Sequence, residues 1–259
     1  MLNPCARTFL PRRPEANEPQ HTLYLHIHQG HGGIYSLPFK SAHPDGTIQK
    51  VSAIGTSGCR TCVAVHFPLG EGKCFAAHSD GHVHSLDGIG EKKNFLADVV
   101  SGFTLEWLPS EEQGRQLYNT VESYLESVFP GMRDRGLSDY LKRHAILLCP
   151  RLTVKGRLTT GGWICKAFND FLGLERTGDE IRSGHGFIID YSKDVPVATI
   201  LGYEEKAPSE QEWDFMPDEE FHDMFGELTA RQVTEKNWQP INRLSWTLMH
   251  WNNVWRAGG

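Results

Sequence analysis

The sequence predicts an α+β fold, an antiparallel β-sandwich-like core with flanking helices. Three observations lead there. From Leu23 onward, short apolar stretches rich in β-branched residues alternate with Gly, Pro, Asp and Ser. Two of these stretches flank a glycine-rich connection at 68–72. One long stretch after Ser110 has the period of a helix rather than of a strand.

The elements follow in chain order. Residues 1–21 carry Pro4, Pro11, Pro14 and Pro19 among charges and are expected to be a disordered tail; 22–259 are expected to form a single domain. Strands are expected over 23–28, 49–54, 61–67, 73–79, 103–108, 145–149 and 186–191, by length and turn punctuation. Ser110 and Gln113 have the spacing of a capping box, and Leu117, Val121, Tyr124, Leu125 and Val128 share a face before Pro130 ends the run. A second helix is expected near 162–171. A third is expected over 241–255, where Leu244, Leu248, Trp251 and Trp255 recur at helical spacing and form a Trp-rich face that docks on the core.

Composition excludes several classes. The chain has 259 residues, 26 Lys plus Arg and 32 Asp plus Glu, for a net charge of −6, so no basic face for nucleic acid is expected. No apolar run reaches the roughly 20 residues of a membrane helix, and the first twenty residues lack the apolar core of a secretory signal. A cytoplasmic location, with the nucleus as a further compartment, is the expectation. The six cysteines are irregularly spaced, which in a reducing compartment makes them thiols, ligands or a nucleophile rather than a disulfide framework.

The chemistry concentrates in 54–84. If the hairpin loop is centred on Gly70, Phe67 faces Lys73, Val65 faces Phe75 and Cys62 faces His78. Directly opposed Cβ atoms are about 4.5–5.5 Å apart, close enough for an imidazole to take the thiol proton and leave a nucleophile for acyl transfer. A zinc site is the competing reading, because Cys59, Cys62, Cys74 and His78 have spacings similar to a Cys3His finger. It conflicts with a strand, on which Cys74 and His78 stand about 13 Å apart. Cys59-Arg60-Thr61-Cys62 as a redox motif lacks the helix that normally follows it. His26, His28 and His31 are expected to face solvent rather than to hold a metal. The acidic stretch 207–230 is expected to be a solvated loop, with attraction of a cationic substrate group as its functional alternative. No P-loop and no G-x-S-x-G elbow is present.

On these residues the chain resembles the protein N-terminal asparagine amidohydrolases and, more distantly, the CheD and cytotoxic-necrotizing-factor type of glutamine deamidase. The matching features are Ile54-Gly55-Thr56 leading to Thr61-Cys62, a Val-containing strand, a Gly-x-Gly loop and His78-x-Asp80-Gly81. The resemblance extends loosely over 45–200. It implies a CheD/CNF-type deamidase fold, Cys62 as nucleophile, His78 as its base and Thr56 completing the site. It also implies no cofactor and a peptide or protein substrate whose N-terminal Asn loses ammonia. Asp80 is a candidate for orienting the ring or meeting the substrate amine. A CheD-like glutamine deamidase and a non-catalytic zinc-binding interaction module remain the alternatives.

Overall fold

The computed structural model describes residues 22–42, 48–79, 108–135, 137–203, 212, 216 and 218–241. The expected N-terminal tail, the strand over 103–107, Asp80 and all but the first residue of the Trp-rich helix lie outside them.

The strands are β1 (Thr22–His26), β2 (His31–Ser36), β3 (Phe39–Ala42), β4 (Ile48–Val51), β5 (Ala53–Thr56), β6 (Val63–Gly70), β7 (Lys73–Ser79), β8 (Ile146–Leu148), β9 (Thr153–Val154), β10 (Arg157–Leu158), β11 (Gly184–Asp190), β12 (Val197–Gly202) and β13 (Trp238–Ile241). The helices are α1 (Glu111–Val128), α2 (Met132–Arg135), α3 (Asp139–His144), α4 (Thr160–Leu172), α5 (Gly178–Ile181) and α6 (Asp218–Glu235). The mixed α+β class is therefore observed. Ile241, expected to open the last helix, instead ends β13.

Two sheets carry the fold. One has five strands in the order β12-β11-β5-β1-β13, the other four in the order β2-β7-β6-β8. The four-stranded sheet is antiparallel throughout, as expected. The five-stranded sheet departs from the expectation: β1 runs parallel to both β5 and β13. Parallel neighbours need a long crossover, and these pairings join segments far apart in the chain, which local sequence pattern cannot reveal.

Alternation along β6 and β7 sorts side chains into two cores. Val63, Val65, Phe67, Phe75 and Ala77 face α1 and α4, while Ala64, Cys74 and Ala76 face Leu25, Ile54 and Phe187 of the other sheet. The far side of the five-stranded sheet, with Tyr24, Ala53, Ile188 and Leu201, packs against Val233 of α6 and Trp238. The layers thus run helices, four-stranded sheet, five-stranded sheet, helix. The first core is aromatic: the rings of Phe67 and Phe75 stack at 5.0 Å between centroids, and Phe129 meets each edge-on. The expected capping box opens α1, with Ser110 Oγ accepting from the Gln113 N–H and the Gln113 side chain accepting from the Ser110 N–H.

The β6–β7 hairpin corrects the sequence register. Its turn is the two-residue pair Glu71-Gly72, both at positive φ (50° and 72°), and an irregularity between Pro68 and Gly70 adds a residue to β6. Ala64, not Cys62, therefore opposes His78. The displacement of two residues preserves parity, so Cys62 still faces the space between the sheets.

Candidate active site

The site lies where the chain crosses from one sheet to the other. β5 ends at Thr56 in the five-stranded sheet, β6 begins at Val63 in the four-stranded sheet, and residues 57–62 bridge them. His78 reaches into the same gap from β7. Thr56, Cys59 and His78 are all buried, and Cys62 is 5% exposed against 0% for Cys59.

The hydrogen bonds fix the imidazole. Thr56 Oγ1 donates to the Ile27 carbonyl at 2.8 Å and lies 2.8 Å from His78 Nδ1. A hydroxyl has one proton; with it given to Ile27, the oxygen accepts from Nδ1–H. The neutral ring then carries its lone pair on Nε2, the nitrogen 3.4 Å from Cys59 Sγ. Thr56, which the resemblance implies as completing the site, has its hydroxyl engaged between Ile27 and His78, a position that sets the tautomer and angle of the ring.

Two thiols meet this base. Cys59 makes the hydrogen bond, and burial, reinforced by Cys62 and Cys149 nearby, pushes its pKa well above the ordinary thiol range. Cys62, in the bend before β6, is a diagonal neighbour of His78 across the ladder, a separation of about 7–8 Å between backbone positions. The local geometry places Cys59 against the imidazole, with Cys62 close enough to Cys59 to influence its thiol.

The sequence reasoning missed His185. Its Nδ1 accepts from the Gly58 N–H at 2.9 Å, its carbonyl accepts from the Cys59 N–H at 3.0 Å, and its Nε2 lies 2.7 Å from Thr229 Oγ1 on α6. Accepting at Nδ1 requires Nε2 to hold the proton, so the ring donates to Thr229; burial lowers its pKa to about 4, which keeps it neutral. Gly58 and Cys59 therefore have their N–H groups engaged. The available signal was a histidine between two glycines, Gly184 and Gly186, at the start of β11, where the pairing with β12 is irregular.

Two further expectations change. His26 is half-buried rather than solvent-facing, because β1 ends there; its ring lies 5.1 Å from that of His28 and burial lowers its pKa to about 4. Residues 218–235 are helical, not a loop: Phe221 and Phe225 are buried one turn apart, leaving Glu220, Asp223 and Glu227 exposed. Cys74 lies on β7 four residues from His78, the extended arrangement that a finger excludes, and it is hydrogen-bonded by Tyr191. Among the described residues no group of three or more His, Cys, Asp or Glu side chains is placed to hold a metal. No helix among them is long and apolar enough to cross a membrane.

Compared with models of known families and with curated proteins, the chain gives no match.

Proposed function

We propose that this chain is a cysteine amidohydrolase that converts the side-chain carboxamide of an N-terminal Asn to a carboxylate. The observation that carries the reading is the relay Ile27 carbonyl, Thr56 hydroxyl, His78 imidazole, whose Nε2 lies 3.4 Å from Cys59 Sγ in a loop holding two thiols. The residual exposure of Cys62, its diagonal position and the resemblance of its segment to the asparagine amidohydrolases make it the attacking thiol.

The chemistry is a two-step acyl transfer. His78 Nε2 takes the Cys62 proton, and the thiolate attacks the carboxamide carbon; backbone N–H groups beside Cys62 hold the oxyanion. The imidazolium returns the proton to the departing nitrogen, ammonia leaves, and a thioester remains. Water, deprotonated by the same nitrogen, attacks the thioester and expels the thiolate, leaving Asp at the peptide N-terminus. No cofactor takes part. Asp80 and the acidic helix α6 are the candidates for meeting the substrate ammonium.

The 3.4 Å contact favours a second reading of the same reaction in which Cys59 is the nucleophile. Ammonia release from peptides beginning with Asn, beginning with Gln, carrying either residue internally, or carrying an acetylated N-terminal Asn tests the function. Cys62→Ser and Cys59→Ser separate the two readings. Turnover of the Asn peptide, abolished by Cys62→Ser and retained by Cys59→Ser, is the expected result, and the opposite pattern exchanges the thiols. Preference for internal Gln with indifference to acetylation would point to a CheD-like glutamine deamidase. No ammonia from any of these peptides would overturn the amidohydrolase reading.

A further inference from the structure

A cavity of about 460 Å³ opens between the start of the bridging loop and helix α6, lined by Ser57, Gly58, His185, Phe221, Phe225 and Gly226 together with small residues further along the helix. Two features tie it to the reactive centre. Ser57 and Gly58 form its wall on one side and lead directly into Cys59 on the other. His185, in the same wall, holds the Gly58 and Cys59 N–H groups and reaches α6 through Thr229.

Gly226 is an independent observation. It sits inside an 18-residue helix, where glycine is the least favourable residue after proline. A Cβ built on it would meet nothing within 4 Å, so close packing does not require its smallness. It lines the cavity at an exposed position, so a larger side chain there has open space to occupy.

We propose that this cavity is the subsite for an apolar side chain at the second position of the peptide substrate, directly after the attacked Asn. The inference rests on the amidohydrolase reading above. The cavity walls are phenylalanine rings, the His185 imidazole, aliphatic carbon and hydroxyl groups, with no carboxylate, lysine or arginine among the described lining residues; they suit a leucine- or phenylalanine-sized group. Its volume exceeds that of one such side chain, and its contiguity with the reactive loop makes the neighbouring residue of the same peptide the occupant. Filling it presses on His185 and thereby seats the loop, so the second residue selects substrates through contacts remote from the reacting atoms.

The test compares kcat/KM for Asn-Leu- and Asn-Gly-initiated peptides in the full chain. The leucyl peptide is expected to be favoured by about tenfold. Gly226→Leu fills the cavity without a backbone clash, favours the helix, and should bring that ratio close to one with no fall in Tm; Asn119→Ala, exposed on α1 of the other outer layer, should keep the ratio. Should Gly226→Leu fail to fold, Gly226→Ala gives an intermediate ratio. Equal rates for the two peptides in the unmodified chain, or a ratio insensitive to Gly226→Leu, overturn the subsite while leaving the functional reading standing. If neither peptide releases ammonia, the functional reading fails, and calorimetry with the same peptides decides the cavity. Leucyl-peptide binding weakened about tenfold by Gly226→Leu supports the subsite, and equal binding of both peptides, or binding of neither, overturns it.

Discussion

The two helical faces of the sandwich are built to opposite specifications. On the four-stranded sheet, α1 and α4 close over Phe67, Phe75, Phe129 and Phe168, rings that pack against one another with centroids 5.0–6.1 Å apart. On the five-stranded sheet, α6 contributes two phenylalanines and then small residues, and an open cavity remains beside the reactive loop. The closed face supplies cohesion, and the open face gives up some packing next to the candidate site. The lesson is that stability and access are segregated, one to each outer layer, with the Thr56–His78 relay between them.

That contrast can be broken by experiment. The largest effect is expected from Phe168→Ala, which opens a void in the closed core and should cost about 3–5 kcal/mol in urea unfolding. A loss below about 1 kcal/mol would mean that the closed face is not the main source of cohesion. Phe225→Ala removes a ring that lies 4.4 Å from the His185 ring and already borders empty space. It should cost only about 1–2 kcal/mol while lowering kcat/KM for the leucyl peptide several-fold. A large stability loss with unchanged kinetics would reverse the roles of the two faces.

Acid should reveal the open face as well. Burial holds His185 at about 4 in the fold, below its ordinary 6.5, so between those values the unfolded chain binds the extra proton. Stability conferred by the neutral ring is complete above about pH 6.5 and declines as pH falls toward about 4. His26, also at about 4, and His66, at about 3, add to the same decline. Urea midpoints at pH 7 and pH 5 should differ, and His185→Gln should shrink the difference; an unchanged pH dependence would assign the decline to the other two rings. The smallest effect is expected from Ser110→Ala, which removes one half of the α1 capping box at a cost of about 1 kcal/mol by thermal unfolding.

What the sequence disclosed follows the range of the interactions involved. The bounds of β7 and the Ser110 capping box are set by neighbours within a few residues, and both match the expectation residue for residue. The parity of β6 and β7 was equally legible, because alternation is local. The register was not: a two-residue turn and one extra residue in β6 moved the residue opposite His78 from Cys62 to Ala64. The parallel pairing of β1 and β13 joins chain segments more than 200 positions apart, beyond any local pattern. Helix α6 was hidden because Phe221 and Phe225 are its buried aromatic anchors among many acids, which reads as a solvated loop. At the site, Thr56 and His78 were legible as residues and their mutual hydrogen bond was not, since it crosses between sheets.

That crossing makes the proposed reactive centre a gauge of how the two sheets sit on each other. Thr56 belongs to one sheet and His78 to the other, and their 2.8 Å bond survives only while the spacing between the sheets is held. Sliding of one sheet over the other by about 1 Å would leave every strand, helix and circular dichroism band in place and still misalign the base by enough to cost about 100-fold in rate. Heat or mild denaturant should therefore silence the protein before it melts, and the interval between those two events measures how firmly the apolar layer between the sheets grips.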